Sequence, residues 1–195
     1  MLPVEKIFLY LTFFSYAIAI VMLFFTVLFK KERFSGLTQR LVYLAVFLHT
    51  VLIVIRMVSA GRIPVKGNFE NALTGTWITM LLLLWLGRRW TSLWKINIGV
   101  LPLVLLTLGW ALQSGPPDMA PLTPAYDHPW LWIHVFFAWF GYAAFLVAAV
   151  LGVFYLIKAK NPQALPAIGD LQTLDDLAYR LVGFGFAMST VMIAS

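Results

Sequence analysis

The stretch from Trp130 to Ile157, WLWIHVFFAWFGYAAFLVAAVLGVFYLI, carries no formal charge when His134 is neutral. As one helix it would measure about 42 Å at 1.5 Å per residue, against a hydrocarbon core of about 30 Å. Such a helix spans a bilayer and must tilt or overhang. Indole rings favour the membrane–water interface, so the overhang belongs at the tryptophan-rich start. That places His134, one turn in, at the boundary between water and lipid, among Trp130, Trp132, Phe136, Phe137 and Trp139.

The rest of the chain repeats the pattern. Hydrophobic residues make up 62% of it and charged residues 11%, whereas soluble domains carry about 25% charged residues. Apolar runs cover Ile7 to Phe29, Leu41 to Val58, Ala72 to Gly87 and Ile96 to Leu112, and a last one begins near Asp176. The third reaches span length if it starts near Phe69, and the fourth contains Pro102, where we expect a kink. The first is too long for a signal-peptide core and has no small-residue cleavage site, so it is a retained helix. The expected fold is all-α: a polytopic transmembrane bundle of six spanning helices, forming a single membrane domain over residues 1–195. The loops are expected at Ser59 to Asn71 and, rich in proline, at Gln113 to Pro129.

Charge sets the orientation. Of the 14 Lys and Arg residues, ten fall on the side of the loops after runs one, three and five. The other four, Lys6, Arg56, Arg62 and Lys66, share the opposite side. The positive-inside bias therefore puts the N-terminus outside. The net charge of +6 sits in short clusters between apolar runs and forms no basic domain that could track phosphates, so nucleic acid is excluded as a partner. With no Cys, the chain has no disulfide, thiolate metal site or redox thiol.

Three histidines and a few carboxylates are the candidate chemistry. His134 reads either as an axial ligand to haem or as an interfacial imidazole bonded to a backbone carbonyl or water. Trp130 and Phe137 lie one turn away on its face. His49 lies about 12 Å into the second run, a depth at which an ionisable side chain is a functional hypothesis. With Arg56 two turns further on, it could hold the iron and a propionate of one haem. Alternatively, His49 is hydrogen-bonded across the bundle and Arg56 snorkels outward. His128 is expected to be solvated. Glu70 and the Asp175, Asp176 pair suit the starts of helices three and six, where the helix dipole favours an anion, and no partner group can be placed beside them. Gly141, Ala144, Ala148 and Gly152 form a small-residue stripe of the kind that packs helices closely in lipid. No phosphate loop, Ser/His/Asp set or metal-spaced cluster is present.

Three segments carry a family resemblance. PWLWIHVFFAWFGYAAF (129–145), FLHTVLIVIRMVSAGRIPVKGNFENAL (47–73) and LDDLAYRLVGFGFAMST (174–190) resemble, in order and spacing, the haem-handling membrane subunit of system II cytochrome c assembly, the CcsA/ResC type, also named CcsB. The resemblance implies that His134 corresponds to the family's first external haem-ligating histidine. It places Gly141 and Tyr142 on a Gly-Tyr pair, and Pro64, Phe69 and Glu70 on an external loop. His49 matches a frequent family position without a transferable ligand role. The family's signature, roughly W-G-x-x-W-x-W-D, and its later histidines are not in the sequence, which reads as an N-terminal portion.

The function implied is cytochrome c biogenesis: haem b bound in the membrane and presented at the outer face for covalent attachment to apocytochrome c (CxxCH). The expected cofactor-binding residues are His134, His49, Trp130 and Arg56, with His134, and less directly His49, on the iron. A ResB/Ccs1-type membrane subunit, apocytochrome c and the lipid bilayer are the implied partners. The bacterial cytoplasmic membrane, or a thylakoid membrane in a plastid, is the implied location. Enzymatic activity is at most a share in a haem lyase complex. The alternatives are a b-type membrane electron carrier and a cofactor-free small-solute transporter or scaffold.

Overall fold

The computed structural model describes residues 2–29, 31–115, 124, 128–164 and 168–195. It is all-helical there: α1 (Pro3–Val27), α2 (Ser35–Ala60), α3 (Gly67–Arg89), α4 (Asn97–Ser114), α5 (Pro129–Lys160) and α6 (Leu171–Ala194), with short 3-10 turns at Glu32–Phe34 and Thr91–Ile96. Each of the six is long and apolar enough to cross a membrane, as a chain without backbone partners in lipid requires. This is a multi-pass membrane protein.

Helix α1 shows how the sequence pattern works in lipid. Ile7, Leu11, Phe14, Ile18, Val21 and Phe25 form an exposed stripe at helical spacing, suited to acyl chains. Glu5, Leu9, Thr12, Tyr16, Ala19, Leu23 and Thr26 on the opposite face are buried. Of the polar residues turned inward, Glu5, Tyr16 and Thr26 find partners on α2. Helix α3 is the central element, with 61% of its spanning window buried, and it touches α2, α4 and α5; α6 is peripheral, at 17%, and packs mainly on α5.

The helix ends follow local chemistry. Pro3 and Pro129 occupy first-turn positions, where a missing N–H costs nothing. Gly61 ends α2 in the left-handed region (φ 62°), which glycine adopts without penalty. Asp170 caps α6 by accepting from the Thr173 N–H at 2.7 Å, and that bond holds its carboxyl below the usual range. Asp175 and Asp176 therefore lie a turn inside α6 rather than at its start. His128 likewise caps α5, its Nδ1 accepting from the Trp130 N–H at 3.3 Å, so it has a structural bond and is not merely solvated. Helix α4 is continuous through Pro102. The outer connection between α2 and α3 is shorter than expected, residues 61–66, and most of the proline-rich stretch expected at Gln113 to Pro129 lies outside the described residues.

Candidate functional site

At the end of the bundle that the charge bias places outside, four charged side chains meet. The Arg56 guanidinium donates from Nε to Glu70 Oε1 at 2.8 Å and pairs through its terminal nitrogens with Glu70 (2.6 Å) and with Glu5 (3.1 Å). Arg62 pairs with the other Glu70 oxygen at 2.6 Å, and that oxygen also accepts from the Lys66 N–H at 2.7 Å. Glu5, Arg56 and Glu70 are wholly buried. Two acids from α1 and α3 thus neutralise two arginines from α2 and the following loop. The sequence offered Glu70 no partner; the fold gives it two, because α2 and α3 start and stop at the same level. Arg56 does not snorkel outward.

A second polar node lies deeper. His49 is wholly buried; its Nε2 faces the Leu73 carbonyl at 3.1 Å and its Nδ1 faces the Tyr16 hydroxyl at 3.2 Å. A carbonyl only accepts, so Nε2 carries the proton and Nδ1 accepts from the tyrosine. Both ring nitrogens are occupied, and the bonds tie α1, α2 and α3 together. His49→Ala would leave the buried Tyr16 hydroxyl without this partner, while the Leu73 carbonyl keeps the Thr76 hydroxyl at 3.1 Å, so we expect a loss of about 1–3 kcal/mol in thermal unfolding of the detergent-solubilised chain. His49→Gln, which can keep one bond, should lose less.

His134 is arranged differently. It is exposed on the second turn of α5, and its Nδ1 lies 2.8 Å from the Met192 carbonyl near the end of α6. By the same reasoning Nδ1–H is the donor, which leaves the Nε2 lone pair unprotonated. Among the described residues Nε2 has no hydrogen-bond partner. The imidazole lines a cleft of about 390 Å³ together with Asn71, Thr76, Thr79, Trp139 and Tyr142. Of the five aromatic residues expected around His134, only Trp139 lines this cleft; Phe136 turns to a groove on the other side of α5, and Trp130 stands exposed one turn outward. Among the described residues no group of three or more His, Cys, Asp or Glu could hold a bare metal ion.

Of the small-residue stripe, Gly141 lies against α6 near this position. Gly141 is buried against α6, where an added Cβ would lie 3.1 Å from Ser189 Oγ, and Ala144 and Ala148 are buried; Gly152 meets nothing. On α6, Gly185 admits the Phe145 ring.

Residues 67–195, which hold the cleft and both helices that carry His134 and Met192, match the family model described as cytochrome C assembly protein. The chain belongs to the cytochrome c assembly protein family. Proteins called cytochrome c biogenesis protein CcsA are similar along most of it. The one from Guillardia theta is 27% identical over 94% of this chain and 69% of its own length. That from Chlamydomonas reinhardtii is 30% identical over 74% of this chain and 43% of its own length, and that from Synechococcus sp. (strain CC9605) is 28% identical over 85% and 64%. The chain therefore spans between about two fifths and two thirds of the length of these curated family members. No solved structure matches it.

Sequence reasoning did not single out Glu5, Tyr16 or Met192. Glu5 had a signal, an acid just before the first apolar run at the same end as Arg56. Tyr16 had a weaker one, and a backbone carbonyl has none.

Proposed function

We propose that this assembly-family chain binds haem through His134 Nε2 and holds it at the outer end of the bundle for attachment to apocytochrome c. One observation carries the reading: the Met192 carbonyl fixes the His134 tautomer, and the imidazole, whose Nε2 has no hydrogen-bond partner among the described residues, lines a cleft. Metal-ligating histidines characteristically donate their other ring N–H to such a group, which fixes the ring and raises its basicity. Trp130, four residues before His134 on the same face, offers a flat apolar surface to the cargo. The cleft falls within the range of small-molecule sites.

His49 and Arg56 take structural roles in this reading, since each is buried with its polar atoms engaged by neighbouring helices. The chain contains no cysteine, so the sulfur atoms that attach haem come from the apocytochrome. Addition of each thiol S–H across a haem vinyl group forms a C–S bond and moves the hydrogen to carbon, with no external oxidant. What this chain contributes is the orientation of the iron and the exposure of the vinyl edge. A second membrane subunit of ResB/Ccs1 type would complete the assembly.

The test is the visible spectrum of the purified chain and the level of c-type cytochromes in cells that depend on it. His134→Ala should lower haem occupancy at least about tenfold, equivalent to about 1.4 kcal/mol, with added imidazole restoring the band. Cytochrome c maturation should fall with it, while His49→Gln keeps the band. Unchanged occupancy and maturation in His134→Ala would remove the proposal.

A further inference from the structure

Between α2 and α3 on one side and α5 and α6 on the other runs a groove of about 870 Å³, walled by Trp77, Trp85, Trp139, Phe140, Leu181 and Phe184 among others. It opens sideways: Trp85 is 60% exposed, Phe136 51% and Phe184 40%. These are large apolar side chains within membrane-crossing helices, so the opening faces acyl chains rather than water. Trp139 is the one side chain it shares with the His134 cleft.

The two ends of the groove differ in charge. At the outer end Ile63 and Pro64 close over it, with the Pro64 carbonyl accepting from the Thr74 hydroxyl at 3.0 Å. The nearby arginines, Arg56 and Arg62, are engaged by Glu5 and Glu70. At the opposite end the groove meets Trp90 and Arg180, its one charged lining residue. Arg180 forms no ion pair among the described residues, although Asp176 stands one turn earlier and lines the adjoining small cleft. The Arg89 guanidinium lies 5.8 Å from the Trp90 ring centre. Among the described residues Arg180 lines the mouth, Asp176 lines the cleft beside it, and Arg89 stands against Trp90. Trp90 directly follows α3, so this mouth lies at the headgroup level on the side that the charge bias makes cytoplasmic.

We infer that the groove is a binding site for an anionic phospholipid of the cytoplasmic leaflet, its phosphate on Arg180 and one acyl chain along Trp85 and Phe184. Charge complementarity selects the headgroup: basic pockets between spanning helices at the cytoplasmic face attract anionic lipid. Length agrees. The groove extends about 24 Å along α3 from Thr74 to Trp90, and a chain reaching the midplane needs about 15 Å, which ends near Met80. The site is independent of the His134 reading and stands without it.

Tryptophan fluorescence of the full chain in vesicles tests this, using phosphatidylglycerol or phosphatidylcholine with dibrominated acyl chains as quencher. Brominated phosphatidylglycerol should associate about fivefold better, the effect of one basic residue. The preference should vanish in Arg180→Gln, rise in Asp176→Asn, and the quenched signal should shrink in Trp85→Phe. Equal quenching by the two lipids in the wild type would overturn the inference, and so would a preference that survives Arg180→Gln. Quenching that ignores Trp85→Phe would overturn it too, by showing the groove covered. If Arg180→Gln loses its helical circular dichroism, the wild-type ratio and the Asp176→Asn shift decide.

Discussion

Removing the Glu70 carboxylate is expected to cost the bundle about 3–5 kcal/mol, enough to keep Glu70→Ala from accumulating in membranes. Taking either member of an ion pair out of water is expensive, and the cost is recovered only while the partner and the hydrogen bonds remain. Glu70 alone meets Arg56, Arg62 and the Lys66 N–H. Without it the buried Arg56 loses its shortest ion pair and, among the described residues, keeps Glu5 as a carboxylate partner. Arg62→Ala should be milder, because Arg62 retains some exposure and its removal leaves the Arg56–Glu70 pair in place. Glu70→Gln, which keeps the shape but not the charge, should fall between. Thermal unfolding in detergent and the amount of inserted protein are the readouts. A Glu70→Ala protein within 1 kcal/mol of the wild type, on the order of a solvent-exposed pair, would show that water reaches the cluster.

That cluster also explains where sequence reading stopped short. The six spans were legible because a bilayer leaves a chain few options, and run length reports them directly. The helix ends were less so. The third run read as starting near Phe69 or Ala72, yet α3 begins at Gly67. The charge of Glu70, which marks the edge of an apolar window, is neutralised from α2 and the loop and so belongs inside the bundle. The same holds for Glu5 and Arg56. A polar residue at membrane depth signals a partner without naming it, and the partner is set by which helices pack together.

The histidines divide along the same line. Both were visible as exceptions in apolar runs, and each carried two readings. What separates them is the partner of each ring nitrogen: for His49 a carbonyl and a hydroxyl, for His134 a carbonyl on Nδ1 and, among the described residues, none on Nε2. Met192 lies 58 positions from His134, and its carbonyl is common to every residue type. The groove was illegible for a related reason, since its walls read as ordinary spanning residues and only the spacing between helix pairs makes a cavity of them.

If His134 ligates haem as proposed, the α6 carbonyl that orients it makes the packing of α5 on α6 a control on haem occupancy at a distance. Gly185→Leu is the sharpest probe. A Cβ at Gly185 would lie 2.8 Å from Phe145 Cε1 and 2.9 Å from Cδ1, closer than carbon atoms approach, and leucine extends further into the ring. Either Phe145 leaves its place or α6 moves off, at a cost of about 1–3 kcal/mol for overpacking. Met192 is two turns away on the same helix, about 10 Å along the axis, so a displaced α6 takes its carbonyl out of reach of His134 Nδ1. The imidazole then loses the bond that fixes its tautomer, and a tenfold drop in haem occupancy is in the range known for lost supporting bonds at ligating histidines. Gly183→Leu is the matched control. Nothing lies within 4 Å of its added Cβ, so stability and the haem band should both stay at the wild-type level. A Gly185→Leu protein with lowered melting temperature but full haem occupancy would separate the helix contact from haem binding, and would mean either that His134 is oriented without α6 or that it does not hold the haem.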